Sequence, residues 1–117
     1  MLPEDPQAYA REWIAAWNAH DLDRILDHYA EDVEITTPMI KVALGVPSGT
    51  LRGRAAAREY WQAALVKLPD LEFELLECTR GVDSIALCYK SVMEKRAIEV
   101  MFFDAQGKVS KMIAHYT

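Results

Sequence analysis

The chain reads as an α+β domain, and three observations carry that reading. In the first part of the chain apolar residues recur at helical spacing, with Tyr9, Trp13, Ile14, Ala16 and Trp17 forming one broad stripe. From Leu71 onward β-branched and aromatic residues are enriched in short runs, as strands require. Gly81-Val82-Asp83 and Asp104-Ala105-Gln106-Gly107 are hairpin turns, so these strands pair as an antiparallel meander. Helices followed by a meander is the α+β layout. With 117 residues and no repeat, linker or low-complexity tract, residues 1–117 form one domain with one core.

Asp5 and Pro6 supply an N-cap and a first-turn proline for a helix that runs to about Ala19. Asp21 caps a second helix, in which Leu22, Ile25, Leu26 and Tyr29 continue the pattern until Tyr29-Ala30-Glu31-Asp32 ends it. Val33 to Thr37 alternates as a short strand stopped by Pro38. Residues 39–53, with Gly45, Pro47, Gly49 and Gly53, read as a loop with room for a short strand. A third helix spans Gly53 to Leu68, its inner face built from Ala56, Ala57, Tyr60, Trp61, Ala64 and Leu65, and Pro69-Asp70 ends it. Strands are expected over 71–80, 84–93, 97–104 and 108–116.

Composition excludes several classes of function. Half of the residues are hydrophobic, an ordinary globular value, and the formal charge of −5 argues against nucleic acid or an anionic membrane surface as partner. No stretch approaches the roughly 18 apolar residues of a membrane span, and the acidic start Met1-Leu2-Pro3-Glu4-Asp5-Pro6 lacks the apolar segment of a secretory signal. Cys78 and Cys88 read as small apolar residues in a reducing cytoplasm. His20, His28 and His115 have no metal-ligand spacing, and Gly45-Val46-Pro47-Ser48-Gly49 lacks the lysine of a phosphate loop; neither metal nor cofactor is expected. His20 belongs to the turn between helices, and His28 and His115 are expected to point outward. Asp21 and Asp32 are explained by capping and turn hydrogen bonds. In the strand from Ala97 to Phe103 both alternating faces are apolar, Met101 and Phe103 on one and Ile98, Val100 and Phe102 on the other. The helices can cover only one of them, so the second face is expected to meet another copy in a homodimer.

The stretch Asn18-Ala19-His20-Asp21-Leu22, then Tyr29-Ala30-Glu31-Asp32, then Phe102-Phe103-Asp104-Ala105-Gln106-Gly107-Lys108-Val109 resembles the nuclear transport factor 2-like superfamily. Its small members include SnoaL-type polyketide cyclases and the ketosteroid isomerases. The resemblance covers nearly the whole chain. It implies three N-terminal helices packed in a strongly curved, mostly antiparallel sheet, a cone or cystatin-like α+β barrel, with an apolar cavity open at one end. It also implies a small-molecule ligand. Matched to the ketosteroid isomerases, the position of the aspartate general base is Thr37, the oxyanion-hole tyrosine is Trp13, and the second oxyanion acid falls at Glu99. Thr37 cannot abstract a proton from carbon near neutrality, because a hydroxyl is far too weak a base. Steroid isomerisation by that route is therefore not expected.

Glu99 is the sharpest candidate, a carboxylate between Ala97 and Met101 on one strand face. Either it lies inside the cavity as a proton donor or acceptor with a raised pKa, or it sits at an edge paired with Lys90 or Arg96. In the first case the chemistry is of the lyase or isomerase kind on a compact apolar or aromatic ligand. Trp13, Thr37 and Tyr89 would supply hydrogen bonds, while Trp17, Tyr29, Trp61, Met101, Met112, Ala114 and Tyr116 shape the walls. The alternative is a non-catalytic binding or association module. A second carboxylate or histidine within reach of Glu99 would favour catalysis.

Overall fold

Asp5 opens the first helix as expected, accepting a hydrogen bond from the Ala8 N–H at 3.1 Å with Pro6 at the first helical position. The structure, a computed structural model, describes residues 1–117. The elements are α1 (Pro6–Asn18), α2 (Leu22–Leu26), β1 (Tyr29–Thr36), α3 (Pro38–Leu44), β2 (Thr50–Arg52), α4 (Arg54–Lys67), β3 (Glu74–Arg80), β4 (Ser84–Lys90), a 3-10 turn (Val92–Glu94), β5 (Arg96–Phe103) and β6 (Val109–Tyr116). The six strands form one sheet in the order β2-β1-β6-β5-β4-β3. All neighbours are antiparallel except β1 and β6, which run parallel. The edge strands β2 and β3 do not pair with each other, so the curved sheet remains open, and the α+β cone is the observed fold.

Register irregularities bend the sheet between Tyr29 and Glu34, Leu75 and Glu77, and Phe102 and Phe103. Helix α1 is pinned across the cone at both ends. The Gln7 amide donates to the Cys78 carbonyl at 2.9 Å, and the Asn18 amide donates to the Phe73 carbonyl at 3.0 Å while accepting from its N–H at 2.7 Å. The core then forms between α1, α4 and the inner sheet face, with Trp13, Tyr29, Ile35, Leu87, Tyr89 and Met101 fully buried. No helix is long and apolar enough to cross a membrane.

Four local expectations change. The second helix stops at Leu26, and Tyr29-Ala30-Glu31-Asp32 opens β1 instead of ending a helix. Tyr29 does continue the helical spacing, but pairing with Val109 of β6 overrides that local preference. The segment read as a loop after Pro38 contains α3, a fourth helix. The Thr37 hydroxyl caps it by accepting from the Met39 N–H at 3.1 Å, and Gly45 closes it with a left-handed φ of 68°. The strand expected to reach residue 93 ends at Lys90, where the 3-10 turn holds Met93 and Glu94 at φ of 57° and 61°. His28 is also not solvent-facing: its side chain is 13% exposed, edge-on to Tyr9 and 3.6 Å from Glu12.

Along β5 the alternation sorts the two apolar faces. Ala97, Glu99, Met101 and Phe103 are buried inward, whereas Ile98 is exposed and Val100 and Phe102 are half-buried on the outside.

Candidate functional site

The cone holds a partly open chamber of about 110 Å³ beside Glu99. Each wall comes from a different element: Trp17 from the last turn of α1, Trp61 and Tyr60 from α4, Tyr89 from β4, and Met112, Ala114 and Tyr116 from β6. Thr37 and Met39 contribute the start of α3, and Phe73, Val92 and Lys95 close the remaining sides. Thr37 is held there from behind. Its N–H donates to the Gly49 carbonyl at 2.9 Å, and a Cβ on Gly49, whose φ is +65°, would lie 2.9 Å from the Thr37 carbonyl oxygen.

Glu99 lies inside this chamber and not at an edge. Its neighbours across the strands are Leu87 and Ala114, and it is 5% exposed. Lys90 pairs instead with Glu94 at 2.9 Å, and Arg96 is exposed on the outer face, so neither serves Glu99. The Tyr89 hydroxyl donates to Glu99 Oε1 at 2.7 Å, while Oε2 is buried without a protein partner. Burial pushes the Glu99 carboxyl up to about 7, with the Tyr89 hydrogen bond pulling the other way. Burial and the Glu99 charge push Tyr60 up to about 12 and hold Tyr89 and Tyr116 above the ordinary phenol range. These hydroxyls therefore keep their protons near neutrality and are donors, not bases.

A second group matches the free carboxyl oxygen. The Trp17 indole N–H is also buried without a protein partner, on a side chain 6% exposed in the chamber wall. Buried polar atoms are almost always paired, and four here are not: the Tyr9 hydroxyl and His28 Nε2 belong to residues outside the chamber lining, while Trp17 and Glu99 line it together.

Of the expected ligand contacts, Trp17, Thr37, Trp61, Tyr89, Glu99, Met112, Ala114 and Tyr116 come together around the chamber. Trp13, Tyr29 and Met101 do not. They lie beneath its wall, and the Trp13 indole N–H is already donated to the Tyr29 hydroxyl at 2.9 Å, so it has nothing to offer a ligand. Tyr60, Met39, Phe73 and Lys95 were not anticipated as lining residues. Tyr60 carried the only signal, its place on the inner face of the long helix; Met39 lies where a loop was expected. No second carboxylate or histidine lines the chamber. No group of three His, Cys, Asp or Glu residues is arranged to hold a metal ion.

Known proteins share this fold. The SnoaL-like domain matches residues 10–116. A SnoaL-like protein of unknown function from Burkholderia thailandensis is 47% identical, superposes with a TM-score of 0.94, and is matched over 96% of this chain and 93% of its own. A candidate isomerase of the SnoaL-like family from Agrobacterium tumefaciens superposes at 0.76 with 16% identity, over 96% of this chain and 97% of its own. IdmH, a candidate polyketide cyclase from Streptomyces antibioticus, superposes at 0.78 with 17% identity, over 97% and 92%. The last two likenesses establish the fold alone. The chain belongs to the SnoaL-like family, within the nuclear transport factor 2-like superfamily.

Proposed function

We propose that this SnoaL-like domain binds a compact apolar or aromatic carbonyl compound in the cone and moves a proton on it with Glu99. The observation that carries the reading is the pair of orphans, the Glu99 Oε2 atom and the Trp17 N–H, in the wall of one chamber. A carbonyl oxygen accepts from the Trp17 N–H. The adjacent Glu99, as carboxylate, takes a proton from the carbon next to the carbonyl and can return it at a second carbon, which is isomerisation. The electron pair left behind rests on the oxygen as an enolate, where the Trp17 donor stabilises it. A carboxyl with a pKa near neutrality suits a group that must both take and give a proton. The candidate isomerase and cyclase among its structural relatives agree with chemistry of this class.

The second reading is binding without chemistry. The absence of another carboxylate or histidine in the chamber favours it. Acetophenone in deuterated buffer separates the two. Catalysis predicts accelerated methyl-proton exchange that rises through pH 7 and is lost in Glu99→Gln, which still binds the ketone. Equal exchange rates in both proteins, with binding retained, would assign the domain to the non-catalytic class.

The outer face of β5 supports a homodimer as the working form. Ile98, Val100 and Phe102 stand beside Ile113, Ala86 and Cys88 on neighbouring strands, an apolar surface the helices leave uncovered. Sedimentation equilibrium should give about twice the chain mass, and Phe102→Asp should release monomers. A wild-type monomer at micromolar concentration would remove the dimer from the reading.

A further inference from the structure

The chamber beside Glu99 has an apolar neighbour. A second, outer groove of about 500 Å³ opens between α3, α4 and the 3-10 turn. The two share Met39, Tyr60, Ala64, Leu68 and Val92, so the same side chains floor the groove and roof the chamber. Ligand pockets of drug-sized molecules occupy about 300–1,000 Å³, so the inner chamber of about 110 Å³ can hold only a head group, while the groove falls within that range. The groove walls are chemically uniform. Twelve of its 14 lining residues are hydrophobic, and the two charged ones, Glu59 and Lys67, are of opposite sign and leave no net charge to attract an ionic group. Several walls are apolar side chains held in solvent: Val42 is 81% exposed, Met93 73% and Leu44 50%. Such a cluster in a small domain is a binding surface more often than an accident.

We infer that the ligand is an amphiphile in two parts, a carbonyl head seated between Trp17 and Glu99 and an extended uncharged hydrocarbon tail lying in the groove between α3 and α4. This rests on the proposed carbonyl site, keeps the compact carbonyl part there as the head, and extends the ligand beyond it by the tail. The adjacency of groove and chamber across the shared side chains sets the order. The Trp17 and Glu99 orphans belong to the inner chamber and the groove lining has none, so the head enters first and the tail remains outside. Helix α3 becomes a wall of the tail site, which gives a purpose to a short helix whose outward face carries Val42 and Leu44.

A series of 2-alkanones from 2-butanone to 2-undecanone tests this at pH 6, where Glu99 holds its proton and donates beside Trp17. Binding is read by the quenching of tryptophan fluorescence and by calorimetry. Each methylene that enters the groove should tighten binding by up to about fourfold, until the groove is filled. Val42→Asp and Met93→Asp change exposed positions that the fold tolerates. They should weaken the long ketones at least tenfold and leave 2-butanone within twofold. Binding of 2-butanone with affinity that does not change along the series would overturn the tail site and leave the carbonyl site standing. Affinity that rises with length but ignores both substitutions would also overturn it, by placing the tail elsewhere. If no ketone binds at all, the carbonyl site falls and takes the tail site with it.

Discussion

Trp13 and Trp17 lie one turn apart on α1, within 6.0 Å of each other, and share Phe73 as a neighbour. Their indole N–H groups are nevertheless treated differently. Trp13 faces the closed part of the cone, where its N–H donates a hydrogen bond to the Tyr29 hydroxyl at 2.9 Å. Trp17 faces the chamber and has no acceptor in the protein. The carboxylates divide the same way. Glu12, outside, grips Arg24 through two bonds of 2.7 and 2.9 Å, which hold its carboxyl below the ordinary range. Glu99, inside, has one tyrosine partner and a carboxyl raised by burial. Where a polar group is satisfied by the chain it supports the fold. Where a buried one is left free beside a cavity, the fold bears a cost that a ligand can relieve.

The largest expected effect breaks the carboxylate half of the comparison. Because Glu99 titrates near 7 when folded and near 4.5 ordinarily, the folded state holds that proton more tightly than the unfolded chain. Its stabilising contribution is therefore full below about pH 4.5 and is lost as pH rises through 7. Glu99→Gln should stabilise the domain by up to roughly 3 kcal/mol at pH 8 and change little at pH 4. Urea unfolding at the two pH values checks this, and an equal effect at both would contradict the buried charge.

The tryptophan half comes next. Tyr29→Phe strands the Trp13 donor in the core and should cost about 1–3 kcal/mol, while acetophenone binding survives. Trp17→Phe should do the reverse, losing acetophenone binding whatever it does to stability. If the two variants behave alike, the division between supporting and binding donors is wrong. The smallest effect concerns Thr37, which caps α3 and faces the chamber at once. Thr37→Ala should cost about 1 kcal/mol, and Thr37→Asp only a few tenths, because aspartate caps equally well. The aspartate also supplies a carboxylate at the position that the resemblance to the ketosteroid isomerases matches to a general base, so proton exchange should rise in that variant alone.

How much of this could be read from residue order depends on range. The long helices and the β4–β5–β6 meander were legible because period and turn chemistry agree there. Helix α3 was hidden by length: seven residues are too few to show a period, and the density of Gly and Pro around it suggested a loop. Its end signals, Thr37-Pro38 and Gly45, were nonetheless present. Residues 29–32 were misread because only contact with β6, some 80 positions away, makes them a strand. For Glu99 the alternation alone left the choice open between an edge ion pair and the cavity. The fold decides it by turning Ala97, Glu99 and Met101 inward together and giving Lys90 to Glu94. The free Trp17 donor could not be foreseen at all, since an orphan is defined by what every other element fails to offer.

The parallel seam between β1 and β6 bears on the time course of folding. Strands β3 to β6 are joined by short turns and can zip together locally, whereas Tyr29 must find Val109 across most of the chain. Loop-closure entropy opposes that contact until the meander and α4 are in place, so the seam closes late. Thr37, Met112, Ala114 and Tyr116 flank the seam and line the chamber, so the chamber exists only once the seam has closed. A ligand held there lowers the free energy of the finished fold without helping the chain reach it: it slows unfolding and leaves the folding rate unchanged.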